Sequence, residues 1–192
     1  MESALSAAVL LSAALAQRPS APQPSSPRRV GVAAALQGSY AGLKSTVTAA
    51  AARMPEADYG SKPSTMPEVR TFGQVIAHIA EGQFDTCARV RGVANPNQGR
   101  QLEQALKTKA EFEKALADSF VFCDDAFSAT TDENALQPVR MQFGPRSIEL
   151  PRVSVLYGVL AHTSEMYGIG TVYLRAKGLV PPASEPTAGR GR

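Results

Sequence analysis

Between Pro151 and Pro182 the sequence PRVSVLYGVLAHTSEMYGIGTVYLRAKGLVPP has helical spacing but is apolar on two opposite sides. At 100° per residue, Val153, Leu156, Tyr157, Leu160 and Tyr167 fall on one side of the helix. Val155, Val159, His162, Met166, Ile169 and Tyr173 fall on the other. A helix wetted along one face has a single apolar stripe, so this one is expected at the centre of a bundle. His162 and Met166 stand one turn apart on the same face.

Three further segments carry the helical period. From Val32 to Met54, the residues Leu36, Tyr40, Leu43, Val47, Ala51 and Met54 form one stripe, and Pro55 stops it. A second helix opens at Thr71-Phe72-Gly73-Gln74, a capping box, in which the Thr hydroxyl and the Gln amide each satisfy a backbone N–H that lacks a partner. Its stripe is Phe72, Ile76, Ile79, Cys87 and Val90, with Gly92 as the stop. A further capping box at Thr108-Lys109-Ala110-Glu111 opens a helix with the stripe Phe112, Leu116, Phe120, Cys123 and Phe127. From Thr131 to Leu150 no helical period survives. Met141–Phe143 and Ser147–Glu149, either side of Gly144-Pro145, suit a short hairpin. Pro151 suits the first turn of the last helix, and Gly178 with Pro181-Pro182 ends it. Four helices of about twenty residues imply an all-α four-helix bundle, with a short hairpin before the last helix.

The flanks read differently. Residues 1–16, MESALSAAVLLSAALA, resemble the apolar core of a signal peptide, with Ala14 and Ala16 at the cleavage-determining positions, although Glu2 stands where a Lys or Arg is usual. The expectation is a periplasmic or secreted protein, with a cytoplasmic one as the alternative. Residues 17–29 are a Pro- and Ser-rich linker, 30–184 the bundle and 185–192 a disordered tail. No segment is long enough to span a membrane. The net charge of +3 is small and sits partly in the tails, so nucleic acid is not an expected partner. Cys87 and Cys123 are either two buried thiols or, in an oxidising compartment, a disulfide.

Nucleotide-binding loops, Cys-x-x-Cys and His-Glu-x-x-His are all absent. What remains is two histidines, His78 and His162, on different helices in apolar surroundings. Two imidazoles on facing helices can start a divalent transition-metal site or can be hydrogen-bonded bundle residues. Glu81, Glu165 and Met166, each about one turn away, are candidates for a third ligand, and the thioether of Met166 suits Cu(I) better than Zn, Ni or Fe.

Three stretches resemble the DinB-like (DNA-damage-inducible) superfamily of four-helix-bundle proteins: Met54–Ala88, Thr108–Phe127 and Ala161–Ser184. The patterns that carry the likeness are R-T-F-G-x-x-x-A-H and Y-G-x-x-x-x-Y-L-R-x-x-G-x-V-P-P. The resemblance implies a divalent ion (Zn, Ni or Fe) held by three histidines, one on the second helix and two spaced by four on the last. His78 and His162 match two of them, and Met166 stands at the third. It also implies metal-dependent chemistry on a thiol or a water, as in transferases and hydrolases, and frequent homodimers. With Met166 in place of an imidazole, the expectation is a degenerate site with weak or absent metal and little family chemistry. The alternatives are an active metalloenzyme completed by Glu165 or Glu81, and a non-enzymatic, dimerising interaction module.

Overall fold

The computed structural model describes residues 29–185. The signal peptide and nearly all of the linker and tail inferred above lie outside them. Five helices and one hairpin make up the described chain: α1 Val32–Arg53, α2 Phe72–Arg91, the single turn α3 Leu102–Ala105, α4 Lys109–Ser128, β1 Pro138–Phe143, β2 Arg146–Pro151 and α5 Arg152–Ala176. The four long helices form a bundle in which α2 packs on α4 and α5, and α1 closes the other side against the same two.

Pairwise contacts give the directions. Gly73 abuts Phe112 and Cys87 joins Cys123, so α2 and α4 run parallel. Phe72 abuts Gly170 and Gly82 abuts His162, so α2 and α5 run antiparallel. Lys109 Nζ donates to the carbonyls of Ala52 and Met54 at the C-terminal end of α1, while Gln37 near its start reaches the carbonyl of Phe127, so α1 and α4 oppose each other. The topology is up-down-down-up.

The helix signals in the sequence act as such. Thr71 and Thr108 both form complete capping boxes, each worth about 1 kcal/mol over an uncapped start. Gly92 ends α2 with φ 66°, a left-handed conformation that disfavours residues with a Cβ. The first amides of α5 have no side-chain cap. Instead Arg152 and Val153 N–H donate to the carbonyls of Gln137 and Ala135, so the segment leading into the hairpin satisfies the helix start. Antiparallel β1 and β2 pair from Pro138↔Pro151 to Phe143↔Arg146, longer than the six residues that suggested a hairpin.

Phe72, Leu116, Phe120, Phe127, Leu156 and Leu174 are fully buried, each contributing about 1.5–3 kcal/mol. Both sides of α5 bury apolar residues: Leu156 and Leu160 on one, Val155, Val159, Met166 and Tyr173 on the other. Two residues of the apolar wheel depart from it, since Tyr157 is 64% exposed and Ile169 40% exposed. The buried residues of α5, with Thr163, Gly170 and Leu174 between them, make one continuous face toward α1 and α2; Tyr157 and Ile169 lie beyond its two edges, so α5 has a solvent side and is not enclosed by the bundle. No helix among the described residues is long and apolar enough to cross a membrane.

Cys87 and Cys123 form a disulfide, with Cα atoms 5.4 Å apart, that ties α2 to α4. Both sit on the apolar stripes of their helices and are fully buried.

Candidate metal centre

His78 lies at the middle of α2 and His162 at the middle of α5, and the antiparallel packing brings their rings together. The ring centres are 4.9 Å apart with planes at 64°. Gly82 makes this approach feasible. A Cβ there would stand 3.1 Å from Cε1 and 3.2 Å from Nδ1 of His162, tighter than an ordinary contact. Burial, then the neighbouring His78 and more weakly Arg70, depress the His162 pKa below its usual value, against an opposing pull from Glu165. His162 is therefore neutral at pH 7, the form that can ligate a cation.

His78 has two partners that sequence reasoning did not supply. Its Nδ1 is 2.7 Å from Oε1 of Glu103, on the short α3 turn. The Arg70 guanidinium bonds the same carboxylate through Nε (2.8 Å to Oε2) and Nη2 (3.2 Å to Oε1), and Nη2 stands 3.4 Å from His78 Nδ1. A guanidinium only donates and a carboxylate only accepts, which assigns the Nδ1 proton to the Glu103 bond and leaves the Nε2 lone pair free. Arg70 is itself held in place, because its carbonyl accepts the Tyr173 hydroxyl at 2.6 Å.

The α3 turn reaches this position through Glu81. One carboxylate oxygen of Glu81 accepts the backbone N–H groups of Leu102 and Glu103, acting as an N-terminal cap from a neighbouring helix. His78, Glu81 and Glu103 each offer a ligand atom within 4.8 Å of the others, a group that could hold a metal ion. Glu103 is held by donors of the protein on both oxygens, Glu81 on one. Glu165 is exposed and is not one of that group. Met166 is 6% exposed and, with Arg70, Val75 and Tyr173, lines a cavity of about 190 Å³.

Glu103 gave no signal in the sequence: it lies in a one-turn helix with no apolar period. Arg70 stands in the R-T-F-G pattern, but nothing about its spacing points to His78.

An up-down-down-up bundle with a pair of imidazoles facing each other across two of its helices is an architecture in which a metal ion could be held. The DinB superfamily pattern matches residues 41–165, and the chain belongs to that superfamily. Two solved structures share the fold. One is a DinB-like protein from Bacillus cereus, 17% identical, with a TM-score of 0.61 over 77% of this chain and 93% of that one. The other is a DinB-like protein from Bacillus subtilis, 14% identical, with a TM-score of 0.58 over 76% of this chain and 94% of that one. No curated protein matches the chain in sequence.

Proposed function

We propose that this chain is an exported DinB-superfamily protein whose divalent-metal site is degenerate, with little or no family chemistry left. The observation that carries this is the donor set. The expected third ligand is a buried thioether, Met166, which is a poor donor to Zn²⁺, Ni²⁺ or Fe²⁺. A divalent site of three imidazoles does not fit the residues present, since the chain has two histidines.

The carboxylates nearby do not replace the missing imidazole without loss. Glu103 is ion-paired with Arg70 and bonded to His78, and Glu81 caps α3. A divalent ion drawing on Glu103 would displace a guanidinium from a carboxylate that is only 15% exposed. It would then sit beside that displaced positive charge, a repulsion that a low-dielectric site screens weakly. The Cys87–Cys123 bond supports export, since disulfides persist in oxidising compartments and are rare in the cytosol of mesophiles.

The alternative of an active metalloenzyme draws support from the His78–Glu81–Glu103 group. Elemental analysis of protein purified without chelator separates the two. The degenerate site predicts well under one equivalent of Zn, Ni or Fe in the native protein and tight binding in Met166→His. Full occupancy in the native protein, lost on His78→Ala, would refute it.

A further inference from the structure

A separate cleft, lined by neither histidine, opens between the C-terminal half of α2, the outer side of α4 and the loop that carries α3. Its volume of about 780 Å³ lies in the range of sites that take small organic molecules. The apolar part of its lining is Phe84, Leu102, Leu106, Ala115 and Phe122, with the two phenylalanine rings 5.8 Å apart.

The charged part of the lining is balanced in sign but not in partners. Arg91 stacks 4.3 Å over the Phe122 ring, donates to the Phe122 carbonyl and pairs with Asp125 at 2.8 Å. Lys114 pairs with Asp118 at 2.7 Å. Glu111 accepts the backbone N–H groups of Lys107 and Thr108. Arg100 is left over. Among the described residues nothing accepts from its guanidinium, although its backbone is fixed: its N–H donates to the Asn97 carbonyl at 3.0 Å, and its carbonyl accepts from Asn97 Nδ2 at 2.7 Å. The turn that presents it holds Gln98 at φ 52° and Gly99 at φ 74°. Gln98 is the one non-glycine residue with a positive φ among those described, a conformation that persists only where its surroundings enforce it.

A cationic ligand would meet carboxylates that already have donors. An anionic one gives Arg100 an acceptor, and a carboxylate matches the planar fork of a guanidinium with two oxygens. The two phenylalanines favour a flat aromatic body, which they can meet by stacking or by an edge. We propose that this cleft binds a small aryl carboxylate, with its ring against Phe84 and Phe122 and its carboxylate on Arg100. The site is independent of the metal content of the histidine pair, yet it touches the same turn. Leu102 lines the cleft while Glu103, the next residue, bonds His78 at 2.7 Å. An occupant packed on Leu102 therefore also holds in place the turn that supplies the partner of His78.

The test is a ¹⁵N–¹H NMR titration of the full chain with 2-naphthoate, beside its neutral isostere 2-naphthamide. Saturable shifts at Arg100, Leu102, Ala115 and Phe122 are expected, with a Kd of about 1 mM or below for naphthoate and weaker binding of naphthamide. Arg100→Gln, at an exposed loop position, is expected to weaken naphthoate about tenfold and to leave naphthamide unchanged. At naphthoate ten times its Kd, amide exchange at Leu102 and Glu103 should slow about tenfold, because the ligand binds only the docked turn. Shifts centred on His78 and His162 instead, no saturable shifts at all, or naphthoate binding that is unchanged in Arg100→Gln would overturn the site. Unchanged exchange at Leu102 and Glu103 under saturation would overturn its link to His78.

Discussion

Replacing both Cys87 and Cys123 with alanine removes a tether whose worth follows from the chain it closes. The bridged residues are separated by 36 positions. In the chain-entropy description, cross-linking a loop of that length removes about 13 cal/mol/K from the unfolded ensemble, or about 3.8 kcal/mol at 25 °C. The substitution also deletes two buried sulfurs between α2 and α4, adding about 1–2 kcal/mol of lost packing. The expected total, about 5 kcal/mol, is large against the 5–15 kcal/mol typical of a domain. Equilibrium urea unfolding of the native protein and the double variant measures it. The untethered chain should also show a larger dependence on urea, because a denatured state without the bridge exposes more surface. A loss of under about 1 kcal/mol with an unchanged urea slope would refute the entropy argument. Two thiols titrated in denatured, unreduced protein would refute the bridge itself.

Two further outcomes follow from close contacts. Gly73→Ala places a Cβ 2.6 Å from Phe112 Cε2, and the buried ring has to move, so a loss of about 1–3 kcal/mol is expected in thermal or urea melts. His162 has a depressed pKa in the fold, so between its usual value near 6.5 and its lower folded value the unfolded chain binds more protons. Its contribution is complete above about pH 7 and is lost as the pH falls through that window, so urea midpoints should drop from about pH 7.5 to about pH 5 less in His162→Gln than in the native protein.

The bundle was legible because each long helix announces itself twice, by an apolar period and by its ends. Thr71, Thr108, Gly92 and Gly178 mark ends in the sequence and act as ends in the structure. The wheel of α5 showed two apolar sides. It did not show that Thr163, Gly170 and Leu174 join them into one buried face with Tyr157 and Ile169 beyond its edges, since that depends on where α1 and α2 sit around the helix. The pairing of Cys87 with Cys123 is hidden for the same reason: each lies on a core stripe, but which helices are neighbours is not written in either stripe.

His78 and His162 stood out as the two histidines of the chain, and the structure sets their rings together. Glu103 and Arg70 were not legible. A helix of four residues leaves no period to read, and a carboxylate in such a segment looks like any solvated charge. What brings Glu103 to His78 is the capping of α3 by Glu81, an interaction between residues about twenty positions apart.

That capping divides the centre into parts of unequal permanence. His78 and His162 belong to helices packed along their length, and α2 is covalently bound to α4. Glu103 rides on a single turn secured by the buried Leu102 side chain, the Glu81 cap and the Arg70 ion pair. Such a turn can detach at a small fraction of the cost of global unfolding, and amides at Leu102 and Glu103 would then exchange with solvent sooner than those around His78. Each detachment frees the His78 Nδ1 proton from its acceptor while the imidazole pair stays in place. The capping of a single turn thereby decides what the His78 Nδ1 is bonded to, and the bundle can stand still while that partner comes and goes.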